Sequence, residues 1–390
     1  MNYEILIPER TICRPGALRE IGTIMAQDRA GQRFSGKVFI ISSSFLTVYV
    51  ERAAASLTAA GYTTKVGSYV DIEPEVATID DLTAEAREFG AGIVVGIGGG
   101  SVLDTAKAVA LMLGNEGSVR KFLMDERAFG MFEKRGVYCV CVPTTAGTGS
   151  EATPCSVIKN LEAKVKPNML HQFLLADLAL LDPELLLTLP KPLVASTGFD
   201  ALTHAVESYV SVWSNPITRM YSTMAIKLIS GNLEKFVTSD DLEAAGALLA
   251  GSNLAGTAMN AATGMAHGIG QAVGAVYGIA HGDAMAVFLP VSMELNLDYA
   301  EKAYAEVATA LGVAAAGRPD REVARQGIAE VRRLAAAVGV KQSLRELGVT
   351  SEERFPEVLQ SVRDTIKEPY CNPRPLSDEL VMTALRKALG

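Results

Sequence analysis

A chain of 390 residues is longer than one hydrophobic core usually supports, so two domains are expected. Its composition, 49% hydrophobic and 21% charged, is that of a globular fold rather than a disordered chain. A formal net charge of −8 argues against nucleic acid or an anionic membrane as the main partner.

Residues 1–10 lack a basic stretch ahead of a long apolar one, so no secretory signal is read there. The five cysteines, Cys13, Cys139, Cys141, Cys155 and Cys371, are odd in number and show no Cys-x-x-Cys spacing. That pattern points to reduced thiols without structural disulfides and to a cytoplasmic setting, and speaks against zinc held by thiolates.

Along the chain, residues 37–41 (Lys-Val-Phe-Ile-Ile) form a short apolar run with β-branched residues. Residues 52–60 read as a helix, 62–66 as a strand, 78–89 as a helix, 91–97 as an apolar strand, 101–113 as a helix and 137–142 as another apolar strand. Buried strands alternating with helices predict an α/β domain with a mostly parallel sheet. Leu189-Pro190-Lys191-Pro192 breaks this pattern and suggests domains of 1–190 and 191–390. Beyond it, Ala-rich helical periodicity predicts an all-helical second domain. Residues 244–282 contain no Asp, Glu, Lys or Arg, long enough to span a bilayer of about 30 Å. Their Gly and Ala content, with Ser252, Asn253, Asn260, His267, Gln271 and His281, suits close-packed core helices instead.

Two features carry chemistry. The first is Gly96-Ile97-Gly98-Gly99-Gly100-Ser101, between a predicted strand and a predicted helix. Glycines without Cβ let the backbone approach a pyrophosphate, and the helix N-terminus offers N–H groups and partial positive charge. The spacing is neither Gly-x-Gly-x-x-Gly nor a P-loop, and such a turn can also be a plain tight connection. Asp104 and Lys107 follow one turn apart, readable as part of a site or as a solvated helix pair. After the next strand, Pro143–Glu151 supplies Thr144, Thr145, Thr148 and Ser150, hydroxyls suited to ribose and phosphate oxygens. Two such loops at the ends of neighbouring strands lie where parallel sheets gather ligands.

The second feature is a histidine pattern. Of four histidines, three fall in one stretch of the second half. Asp200 and His204 stand four apart and share a helical face, as do His267 and Gln271, while His281 falls in a predicted loop. One carboxylate and three imidazoles suit a divalent first-row metal such as Fe(II) or Zn(II). A single histidine can equally be a satisfied core residue, but His267 and His281 lie in the charge-free stretch, where an unpaired imidazole would be costly. His171 shows no partner pattern.

Together these residues resemble the iron-containing (group III) alcohol dehydrogenase family over nearly the whole chain. The marks are residues 98–107 (Gly-Gly-Gly-Ser-Val-Leu-Asp-Thr-Ala-Lys), the loop 143–151, residues 200–207 (Asp-Ala-Leu-Thr-His-Ala-Val-Glu), His267 with His281, and Cys371-Asn372-Pro373-Arg374. The resemblance implies an N-terminal dinucleotide-binding α/β domain and a C-terminal helical domain, an architecture like that of dehydroquinate synthase, with the active site in the cleft. It implies that Asp200, His204, His267 and His281 bind the metal. It places Gly99, Gly100, Ser101, Asp104, Thr144, Thr145, Thr148, Val157 and Lys166 near the dinucleotide. It further implies hydride transfer between NAD(P) and a small primary alcohol or aldehyde in a homodimer or larger homo-oligomer, with no membrane partner.

The chain departs from the family in three places, one of them Arg14, where the family usually has a Gly before the first helix. Where many members carry a proton-relaying histidine four residues after the third ligand, this chain has Gln271, which cannot titrate. Where many NAD-preferring members have an Asp after an early strand, this chain has Ser43. Serine does not repel a 2′-phosphate, so this position favours NADP and leaves NAD open. Glu207, one turn beyond His204, reads as a support for the metal ligands or as a surface carboxylate. Other readings stay open: a metal- and NAD-dependent lyase of the dehydroquinate synthase type, for which Lys164 and Lys166 would be the available cations, another oxidoreductase of the same fold, and a non-catalytic binding protein on that fold.

Overall fold

The computed structural model describes residues 3–28, 34–71, 73–123, 132, 134–161, 168–366 and 370–390. Lys164 and Lys166 lie outside the described residues. The chain divides into two compact units. One comprises Leu6–Thr145 and Gly149–Leu186; the other comprises Leu187–Gly390 with Ala146–Thr148 and the residues before Leu6.

The first unit alternates β1 (Arg10–Cys13), α1 (Ile21–Ala26), β2 (Lys37–Ser42), α2 (Thr47–Ala59), β3 (Thr63–Val66), α3 (Val76–Phe89), β4 (Ile93–Gly98), α4 (Gly100–Met112) and β5 (Tyr138–Pro143), then β6 (Cys155–Val157), β7 (Asn168–Leu170) and β8 (Leu178–Leu181). Six strands form one sheet in the order β1-β8-β5-β4-β2-β3, every neighbouring pair parallel. The short β6 and β7 pair antiparallel. The parallel sheet predicted from strand–helix alternation is present.

Strand periodicity sends alternate side chains to opposite faces, and both faces here are covered by helices. On one, Phe39, Ile41, Val94, Cys139 and Cys141 pack with Leu82, Leu103 and Val109 of α3 and α4. On the other, Val38, Ile40, Val95, Ile97, Val140 and Val142 pack with Ile24, Val50 and Leu57 of α1 and α2. This explains the near-continuous apolar runs in the sequence. Cys139 and Cys141 are core thiols, and all five cysteines are free.

The second unit is helical: α5 (Lys191–Val210), α6 (Pro216–Ser239), α7 (Leu242–Ala258), α8 (Met265–Tyr277), α9 (His281–Asn296), α10 (Glu301–Ala310), α11 (Asp320–Val338), α12 (Phe355–Thr365) and α13 (Asp378–Leu389). From Val194 on, α5 is almost wholly buried and packs against α6, α7 and α9. A helix with no exposed face belongs in the centre of its layer. The charge-free stretch 244–282 runs through α7 and α8, whose small residues sit in that core. Among the described residues no helix is long and apolar enough to cross a membrane.

Candidate metal centre and dinucleotide loop

The centre is built on three helices. Asp200, His204 and Glu207 lie at i, i+4 and i+7 of α5, on one face. His267 is the third residue of α8, and His281 is the first of α9 rather than part of a loop. The helix opens at Ala280, an N-cap without a side-chain acceptor, so the sequence carries no capping signal there. Its second residue explains how the helix reaches α5. A Cβ on Gly282 would stand 2.4 Å from the Ser196 carbonyl oxygen. Glycine therefore permits the close approach that sets His281 beside Asp200.

Asp200 Oδ1 is the focus. It stands 3.1 Å from His281 Nε2, 3.5 Å from His267 Nε2 and 3.8 Å from His204 Nε2. Asp200, His267 and His281 each offer a ligand atom, all within 4.8 Å of one another. His204 stands at the edge of this trio, its ring stacked on that of His267 with centroids 4.3 Å apart. The Asp200 and His267 side chains are 4% exposed, while that of His281 is 40% exposed, so the centre opens on the His281 side.

Five buried side-chain polar atoms among the described residues have no hydrogen-bond partner, and three are Asp200 Oδ1, His204 Nδ1 and His267 Nε2. Buried polar atoms are otherwise nearly always paired, and a cluster of exceptions on carboxylate and imidazole groups is the signature of a cation site. The residues therefore fit a divalent metal. Burial pushes the His204 imidazole down to about 3. Burial also acts against protonation of His267, but the Asp200 and Glu207 carboxylates outweigh it and raise His267 to about 9. Burial would raise Asp200, yet the neighbouring imidazoles hold it well below the usual carboxylate range.

Glu207, left open between two roles by the sequence, is buried at 4% exposure. Its Oε2 lies 2.6 Å from His267 Nδ1, and its Oε1 accepts from the Ala266 amide at 2.6 Å. It thus orients the His267 ring and satisfies the start of α8, whose N-cap Gly264 has no side chain to do so. Asn372 Oδ1 accepts from the Met265 amide, and the Tyr370 hydroxyl donates to the Gly264 carbonyl, so the C-terminal segment fastens the same helix end. Gln271 lies one turn beyond His267 with its side chain exposed. His171 is elsewhere, between the rings of Phe132 and Phe173, its Nδ1 accepting from the Phe173 amide.

In the first unit, Gly99 caps α4 without any side-chain acceptor, leaving the first amides of that helix open at the carboxyl edge of the sheet. A Cβ on Gly98 would stand 2.6 Å from Val102, so glycine lets strand and helix close into a tight turn. Thr144 continues the β4–β5 ladder through its amide to the Gly98 carbonyl, and the Thr145 side chain lies beside Gly99. These features suit a pyrophosphate. Ser101 is half-buried in the first turn of α4.

Asp104 turns inward: Oδ1 accepts from the Ser150 hydroxyl at 2.6 Å and Oδ2 from the Val157 amide at 2.9 Å. Lys107 is no solvated helix residue. It is fully buried, 3.2 Å from Asp104 Oδ1, and donates to the carbonyls of Ser150 and Cys155. The pair clamps the segment Ser150–Val157 onto α4. Thr148 groups with the helical unit. Ser43 is buried, its hydroxyl donating to the Val70 carbonyl at 2.9 Å.

Comparisons with known proteins agree across the chain. Residues 8–183 match the family described as iron-containing alcohol dehydrogenase, and residues 194–389 match the C-terminal part of the Fe-containing alcohol dehydrogenase family. The chain belongs to the iron-containing alcohol dehydrogenase family, a family of oxidoreductases. It is 37% identical to long-chain-alcohol dehydrogenase 1 of Geobacillus thermodenitrificans, over 82% of each chain. It is 30% identical to the NAD-dependent methanol dehydrogenase of Bacillus methanolicus, over 98% of this chain and 99% of that one. The solved alcohol dehydrogenase from Oenococcus oeni superposes with a TM-score of 0.91 at 30% identity, over 99% of this chain and 100% of that one.

Proposed function

We propose that this protein is a metal-dependent, NAD(P)-linked dehydrogenase that interconverts small primary alcohols and aldehydes. The observation that carries the reading is that Asp200 Oδ1 and His267 Nε2, both buried and without hydrogen-bond partners, lie 3.5 Å apart, with His281 Nε2 3.1 Å from the same oxygen. Similarity to alcohol dehydrogenases, including one described as NAD-dependent, supports it.

Asp200, His204, His267 and His281 would hold Fe(II) or Zn(II), which when bound supplies Lewis acidity to a substrate oxygen. Asp200 lowers the net charge of the ligand set, and the imidazoles act as neutral donors once their protons are displaced. Glu207 fixes the tautomer of His267 by taking its Nδ1 proton in a hydrogen bond, leaving Nε2 as the donor atom. His281 is the most exposed of the proposed ligands, so a substrate oxygen would reach the centre from its side. The open amides of α4 would hold the dinucleotide pyrophosphate, and the carboxyl end of β2 would border the adenosine ribose. Thr144 and Thr145 border that cradle. Gln271 donates and accepts hydrogen bonds without releasing a proton, so proton exchange would run through water or the ribose hydroxyls rather than through this side chain.

His267→Ala tests the ligand assignment. The expected outcome is loss of bound metal by elemental analysis together with loss of aldehyde reduction. Full metal occupancy in a folded His267→Ala protein would remove His267 from the ligand set.

A further inference from the structure

We infer that Asp71, rather than Ser43, selects the dinucleotide, and that it favours the form whose adenosine ribose carries a free 2′-hydroxyl. The inference rests on the dinucleotide reading above. β2 is hydrogen-bonded to β4, with Ser42 opposite Ile97 one residue before Gly98. The strands are parallel, so residues 43–44 leave the sheet on the same edge as the Gly-rich turn, one strand across. The ribose of a dinucleotide anchored at α4 falls at such a strand end.

Ser43 itself has little to offer a ligand there. It is 4% exposed, and its hydroxyl already donates to the Val70 carbonyl. Its replacement of an acidic residue therefore does not by itself leave the ribose end neutral. The carboxylate arrives from the neighbouring segment after β3. Asp71 is exposed, and its Oδ1 accepts from the Ser44 amide at 2.7 Å. Hydrogen bonds from the Ser44 side chain and amide hold the Asp71 carboxyl below its ordinary value, so it is charged at neutral pH. A carboxylate fastened to the first residues beyond β2 can accept from a ribose 2′-hydroxyl. It repels a 2′-phosphate, which carries about −1.5 to −2 charge at pH 7 by analogy with other phosphomonoesters.

Isothermal titration calorimetry of the full-length protein with NAD+ and with NADP+ tests this by binding alone. Wild-type protein is expected to bind NAD+ at least tenfold more tightly than NADP+. Asp71→Asn keeps an oxygen acceptor for the Ser44 amide but removes the charge. It is expected to narrow that ratio at least fivefold, chiefly by tighter NADP+ binding. A wild-type ratio at or below one overturns the assignment, even if the variant fails to fold. So does an unchanged ratio in an Asp71→Asn protein that still binds NAD+. Binding of neither dinucleotide by wild-type protein would instead overturn the dinucleotide reading itself, and this assignment with it.

Discussion

Asp200 and His204 were readable as a pair because both sit on one helix, where a spacing of four fixes a shared face. Glu207 shares that face, but spacing cannot tell depth. Only the packing of α8 over it decides that a carboxylate three residues from a histidine is buried and bonded to a different one, His267. The same blind spot hid Lys107, whose sequence context fits a solvated pair and whose amine is enclosed by carbonyls 43 to 48 residues away. If Glu207 orients His267, Glu207→Gln should lower metal affinity about 10–100-fold while retaining an acceptor for the Ala266 amide. A chelator-competition titration measures this, and unchanged affinity in a folded variant would reduce Glu207 to a helix cap. Lys107→Met should cost about 3–5 kcal/mol in denaturant unfolding, because Asp104 is left without its buried cation.

At the scale of elements, the central strands β2, β4 and β5 were legible because burial on both faces makes them continuous apolar runs. The edge strand β1 was not: none of its four residues is buried, and its sequence, Arg-Thr-Ile-Cys, has no apolar signature. The three-residue β6 and β7 are too short to show any period. Helix starts were misjudged where no side chain caps them, as at α2 and α9. The start of α9 is also where an element positions the site, through the contact of Gly282 with Ser196. Gly282→Ala forces about 1–3 kcal/mol of overpacking into that contact. It should lower Tm by roughly 2–10 °C and weaken metal binding by displacing His281. Calorimetry of apo and metal-loaded protein separates the two effects, and a variant matching the wild type in both would show that α9 has room to shift.

At the scale of the whole molecule, phosphate-binding signals and metal-binding signals fall in different halves of the sequence, and the two compact units divide them almost the same way. The exception is Ala146–Thr148, which leaves the sheet unit to join the helical one. No periodicity announces such a crossing, because it depends on contacts with residues far along the chain. The proposed ligand set is spread over α5, α8 and α9 and would hold metal only when these helices are packed, so metal should stabilise the folded protein. At a free metal concentration one hundred times Kd the gain is about 2.7 kcal/mol. Tm should rise accordingly on adding Fe(II) or Zn(II) and fall again with a chelator, and Asp200→Asn should abolish the response. The most direct measurement follows reduced-nicotinamide absorbance with purified protein, NADH or NADPH and a panel of small aldehydes, before and after chelation. Cofactor oxidation that stops on metal removal and returns with Fe(II) or Zn(II) is the expected result. Oxidation that continues undiminished in metal-free protein, or no turnover with any aldehyde despite bound metal and dinucleotide, would contradict a metal-dependent alcohol dehydrogenase.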